Sequence, residues 1–126
     1  MKRAILSLAL LALTACSGRQ TFYNGVIDDV NCDIIVGWAV DWSRVGQSID
    51  VTIFDDDGRV NVRTLARIPR PNFAPGRQMH GFTIPTPAGF RDGKSHFVHV
   101  AFEGTKIELR HSPRPLNCPA PGPAHN

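Results

Sequence analysis

From Gly25 onward the chain alternates apolar and polar residues in short runs separated by turn-forming residues. Ile49, Val51 and Ile53 fall on one side of an extended segment and Asp50 and Thr52 on the other; Val98, Val100 and Phe102 oppose His99 and Ala101 in the same way. A period of two is the signature of a half-buried strand, because successive side chains point to opposite faces. No stretch sustains the i, i+3, i+4 apolar spacing of an amphipathic helix. The pattern predicts strands over Val26–Val30, Ile34–Val40, Ile49–Phe54, Val60–Ala66, His80–Ile84, His96–Phe102 and Lys106–Arg110. In Ile34–Val40 both faces are apolar or small, which marks a strand inside a sheet, and Trp38 at its middle is expected to fill the core.

The punctuation between these runs agrees with them. Asp56-Asp57-Gly58 and Arg91-Asp92-Gly93 supply Asp-Gly turns, and Glu103-Gly104-Thr105 supplies a tight hairpin. Seven short strands in about 95 residues predict an all-β fold, a single β-sandwich of immunoglobulin-like or similar topology. Residues 119–126 are rich in Pro and lack any apolar run, so they are expected to be a disordered or polyproline-like tail.

The amino terminus follows a different rule. Met1-Lys2-Arg3 is a basic start, and residues 4–13 form an apolar run of ten with one Ser. A helix needs about 20 apolar residues to span a bilayer, so this run reads as an export signal and not as a transmembrane anchor. Leu13-Thr14-Ala15-Cys16 then resembles the lipobox of bacterial lipoproteins, an aliphatic residue and two small ones before the Cys. The resemblance implies that Cys16 is acylated and becomes the new amino terminus, with acyl chains holding the protein to a membrane. Ser17, where inner-membrane lipoproteins of two-membrane bacteria carry Asp, resembles the pattern sent to the outer membrane. The expected organisation is a signal peptide over 1–15, a lipidated tether over 16–24, the sandwich over 25–118 and the tail over 119–126.

With Cys16 lipidated, Cys32 and Cys118 remain of the three Cys. An exported pair is expected to be bridged, closing the domain from near its start to near its end. Two Cys with no Cys-x-x-Cys repeat and no neighbouring His do not make a metal-ligand set. Composition limits the rest. A chain of 126 residues has room for one small domain. Its formal charge of +3 comes largely from the signal: removing Lys2 and Arg3 leaves twelve basic against eleven acidic residues, so no charge-driven case for nucleic acid survives.

The order of motifs across residues 25–118 resembles a small β-sandwich module found repeatedly in secreted and surface proteins of bacteria. The residues that carry the likeness are Val30-Asn31-Cys32-Asp33 leading into Gly37-Trp38, then Arg70-Pro71-Asn72, His80-Gly81-Phe82, Asp92-Gly93-Lys94 and Phe102-Glu103-Gly104. The chain departs from that pattern at Val40, where an aromatic residue is common, and at Asn72, where an acidic one is. The resemblance implies an accessory unit concerned with binding or spacing.

Catalytic and metal signatures are missing from the sequence. His96 and His99 are three apart on a strand, on opposite faces, and do not share an ion. His80 reads as a hydrogen-bonded structural residue at a strand start. Asp55-Asp56-Asp57 invites a cation, but the spacing is not that of a calcium loop and the Asp-Gly turn accounts for it. Asp28, Asp29, Asp33 and Asp41 read as a solvated edge. No Gly-x-Ser-x-Gly elbow, His-Glu-x-x-His or phosphate loop is present. No cofactor, metal or catalytic residue is assigned. The better clue is aromatic: Trp42, beside Asp41 and Arg44, is placed to touch a sugar or a partner, with Tyr23 and Arg44 as neighbours and Phe73 and Phe90 in other loops. The expected function is a non-enzymatic, lipid-anchored envelope protein that binds or scaffolds. A carbohydrate-recognition module and a small inhibitor or assembly subunit for another envelope protein are the alternatives.

Overall fold

Where β-branched and aromatic residues alternate with polar ones, the chain pairs into two antiparallel sheets of four strands each. The structure is a computed structural model and describes residues 22–70 and 79–122. One sheet has the order β1 (Tyr23–Val30), β2 (Ile34–Asp41), β6 (Met79–Pro85), β5 (Ile68–Pro69). The other runs β4 (Asn61–Ala66), β3 (Ile49–Phe54), β7 (Ser95–Phe102), β8 (Arg114–Asn117). This is the ABED and CFG arrangement of immunoglobulin-like sandwiches, with one further strand beside C. The expected fold class holds, with eight strands among the described residues where about seven were expected.

Ile27, Ile35, Ala39 and Phe82 from the first sheet meet Val51, Ile53, Val98, Val100 and Phe102 from the second to form the core. β2 lies between β1 and β6, as its two apolar faces require. Trp38 departs from expectation. Ile35, Gly37 and Ala39 are buried toward the core, so the period of two turns Trp38 outward, where it is half-buried opposite Val26 and Gly81. The core space is taken by the Phe82 ring over Gly37: a Cβ built there would stand 2.7 Å from Phe82 Cζ and would overlap the Val26 carbonyl. Outside, the Arg70 side chain lies across Gly81 and reaches Asp28, with Nη1 donating to Oδ2 at 2.8 Å.

Several boundaries differ from the sequence pattern, most by a residue, and β5 (Ile68–Pro69) has no counterpart in it. β1 begins at Tyr23, so Tyr23 and Asn24 belong to the sheet and not to the tether. Lys106–Arg110 starts as the hairpin partner of β7, through Phe102 N–H to Ile107 O and Leu109 N–H to Val100 O, both 2.9 Å. It then leaves that sheet, and Arg110 exchanges hydrogen bonds of 3.0 and 3.1 Å with Gly25 and Ile27 on β1, leaving single bridges and no continuous strand. After a left-handed residue at His111 (φ 71°), the chain returns to β7 as β8. The three expected turns stand, and their glycines take positive φ: Gly58 at 70°, Gly93 at 79° and Gly104 at 60°. Residues 119–122 hold no helix or strand, and 123–126 lie outside the described residues.

The Cys32–Cys118 disulfide ties the β1–β2 turn to the residue after β8, across a sequence separation of 86 and a Cα–Cα distance of 5.6 Å. Cys118 is fully buried in the core. The sandwich thus has two distinct ends. The near end holds Phe22, the β2–β3 connection and the β7 hairpin; the far end holds the disulfide and the Asp55–Gly58 turn.

Candidate functional site

At the near end two of the three sequence-predicted contact residues, Tyr23 and Arg44, come together around two carboxylates, with Trp42 beside them in the chain. Asp41, the last residue of β2, is buried and caps a short 3-10 turn over Trp42–Arg44. Its Oδ1 accepts from the Ser43 backbone N–H at 2.9 Å and from the Ser43 hydroxyl at 2.6 Å, and its Oδ2 accepts from Arg44 Nε at 2.9 Å. The Ser43 hydroxyl bond foremost, with Arg44 adding to it, holds the Asp41 carboxyl below its ordinary pKa despite burial. Arg44 Nη2 also donates to Glu103 on the β7 hairpin. Tyr23 stacks on Phe102, with ring centres 4.9 Å apart, and its hydroxyl donates to the same Glu103 oxygen at 3.4 Å. Burial first, and then the negative charge of Glu103, pushes the Tyr23 phenol above its usual pKa.

Tyr23 and Arg44 therefore act as fasteners between the two sheets. Trp42 stands apart from that knot on the surface, 36% exposed, and its backbone N–H bonds to the carbonyl of Phe22, itself 49% exposed. Glu103, which joins Tyr23 to Arg44, is in sequence only part of a turn. Nothing in the local pattern shows that its carboxylate meets a side chain 59 positions away.

A second cluster lies on the outer face of the other sheet. His99 stacks on its cross-strand neighbour Phe54, with ring centres 4.9 Å apart. Its Nδ1 bonds Glu108 at 2.7 Å and its Nε2 bonds Asp56 at 2.5 Å. Ser112 donates to the same Glu108 oxygen at 2.6 Å. Only the imidazolium can donate at both nitrogens. Burial works against that charge, but the hydrogen bonds and charges of Asp56 and Glu108 outweigh it and raise the His99 pKa. The cluster borders a depression of about 500 Å³ that Lys106 and Gly58 also line. It is not a nucleophilic triad. A catalytic Ser must give its proton to the His, whereas Ser112 points at the carboxylate and both His99 nitrogens are occupied.

The remaining candidates disperse. Asp55 is buried and accepts from the Val60 N–H at 3.2 Å, Asp56 faces His99, and Asp57 is exposed. Among the described residues, no three His, Cys, Asp or Glu side chains group as metal ligands. Asp28, Asp29 and Asp41 bond to Arg70, Asn31 and the near-end knot respectively, so they form no single acidic edge. His96 bonds Asp92 at 2.7 Å and sets its ring edge to face against Phe90, away from His99. His80 is buried at the start of β6, with Nε2 3.0 Å from the Val45 carbonyl, the structural role expected of it. Phe90, expected in a loop, is fully buried in a second 3-10 turn. Cys16, Asn72 and Phe73 lie outside the described residues. No helix among the described residues is long and apolar enough to cross a membrane.

No protein-family model matches the chain, and no curated protein matches it. Among solved structures the chain is similar to the fn3 domain of human collagen alpha-1(XX) chain, at 18% identity and a TM-score of 0.44, over 87% of this chain and 92% of that one. That likeness is too distant to speak for ancestry or activity. The sandwich assignment rests on the strand order given above.

Proposed function

We propose that this chain is a bacterial lipoprotein of the cell envelope, exported, acylated at Cys16 and carried to the outer membrane, whose sandwich serves as a non-enzymatic binding or scaffolding module. The observation that carries the reading is the Cys32–Cys118 bond. It uses two of the three Cys and leaves over the one that sits in the lipobox-like Leu13-Thr14-Ala15-Cys16. A disulfide that closes nearly the whole domain, buried on its Cys118 side, also belongs in an oxidising compartment, which is where an exported chain folds.

The glycan-binding alternative draws less support. It needs Trp42, Tyr23 and Arg44 to face a ligand together, whereas Tyr23 and Arg44 spend their polar groups on Glu103 and Asp41. A protein partner has a better-placed surface in β4, an edge strand among the described residues, where Asn61, Arg63 and Leu65 are exposed.

The test is metabolic labelling with palmitate in a bacterial host. Wild type is expected to take up label and sediment with membranes, and Cys16→Ser to do neither. A wild-type chain that stays unlabelled and soluble would remove the anchor.

A further inference from the structure

Only six positions separate Cys16 from Phe22, the first described residue, and a chain of that length spans at most about 20 Å when fully extended. The eight-residue strands of the sandwich are themselves longer than this, at about 26 Å. With Cys16 at the bilayer surface, the near end is held close to the lipid headgroups and the far end is directed away from them.

The surface is asymmetric in the same sense. Among the described residues, six of the eight exposed large apolar side chains belong to the near half: Phe22, Trp42, Leu65, Ile68, Met79 and Ile107. Phe22 and Trp42 are joined through a backbone hydrogen bond, and Met79 is tied to the same end because its carbonyl accepts from Ser48 Oγ at 2.9 Å. The β2–β3 connection that forms the tip continues with exposed, uncharged Gly46 and Gln47. Its one cation, Arg44, is held by Asp41 and Glu103, so seating Phe22 and Trp42 in the headgroup region leaves no unpaired cation in the connection. At the far end the exposed large apolar side chains are only Ile34 and Phe97, among exposed Asp57, Arg59, Arg91, Asp92 and Lys94, whereas the near end carries exposed Arg67 and Lys106, both cations that suit anionic headgroups.

We propose that the near end docks on the bilayer, with Phe22 and Trp42 seated in the headgroup region. Large amphipathic rings favour that boundary, where one side of the ring is dry and the indole N–H stays near water. The inference rests on acylation of Cys16 and goes beyond it. Trp42 becomes a membrane contact in place of a ligand-stacking residue, and the far end and outer sheet faces become the surfaces offered to partners.

The experiment uses full-length acylated protein, purified from bacterial membranes and reconstituted into vesicles of phosphatidylethanolamine and phosphatidylglycerol. In a Trp38→Phe background Trp42 is the sole reporter. Its emission is expected to shift to the blue relative to a Cys16→Ser protein in buffer. It should also be quenched more by lipids labelled near the headgroup than by lipids labelled deep in the tails. A Trp placed by Asp57→Trp, with Trp38 and Trp42 both changed to Phe, should show neither effect. Comparing wild type with Trp42→Phe gives the same reading without the Trp38 substitution. If the protein is acylated and floats with vesicles while Trp42 is unshifted and unquenched, docking is wrong and the anchor stands. Equal quenching at positions 42 and 57 overturns the orientation. A chain without acyl groups that does not float overturns docking and anchor together.

Discussion

Opening the Cys32–Cys118 bridge is the perturbation whose size follows most directly from the structure. The bond spans a sequence separation of 86, nearly the whole described domain. In the chain-entropy account, closing a loop of that length restricts the unfolded chain by roughly 4–5 kcal/mol. A domain of about 95 residues has a total stability on the order of 5–14 kcal/mol, so the bridge supplies between a third and most of it. Reduction removes no side chain from the core, where Cys118 is buried, so its main effect falls on the unfolded state. Urea unfolding of the same protein with and without reductant, followed by tryptophan fluorescence, measures the difference. The reduced domain should be less stable by roughly 4 kcal/mol, and its melting temperature lower by about 20 °C. A loss below about 1 kcal/mol would refute the loop-closure argument. It would mean that the unfolded chain keeps its ends together without the bond, or that the bond does not form.

Three further outcomes follow from particular side chains. Gly37→Ala should cost about 1–3 kcal/mol in urea unfolding, because the new methyl meets the Phe82 ring and the Val26 carbonyl; a neutral result would show that the sheets part easily there. His99 titrates above its ordinary value in the folded state, so its stabilising contribution is complete below about pH 6.5 and is lost as pH rises through the raised folded pKa. The melting temperature should fall over that alkaline-going range in wild type and stay flatter in His99→Gln. Asp41→Ala removes the cap of the Trp42–Arg44 turn and should cost about 1 kcal/mol. Because the Asp41 pKa is lowered on folding, the wild-type advantage over this variant is present above about pH 4 and shrinks as pH falls through the folded pKa.

Much of this fold was legible because the period of two is a local signal. Ile49, Val51 and Ile53 face inward as the alternation requires, and the Asp-Gly turns close where they were expected. What escaped was set by distant contacts. The assignment of Trp38 to the core failed because alternation gives two faces without saying which is inside; Gly37, packed against the Phe82 ring, decides it. β8 was missed because Pro115 breaks the pattern and Leu116 is the one residue of the strand that is buried, so its pairing comes from β7 and not from its own sequence. In the candidate site, Trp42 and Arg44 could be picked out by type and neighbourhood. The roles of Glu103 and Glu108 could not, since each acts through partners brought near only by sheet packing or a hairpin turn.

The central claim, that this sandwich is held to a membrane through Cys16, is tested most directly by the intact mass of the mature protein purified from bacterial envelopes. The account predicts a chain beginning at Cys16 and carrying two or three acyl groups, with a further mass deficit of one disulfide's two hydrogens. A mature chain that begins at another residue, or that begins at Cys16 without acyl mass, would contradict it.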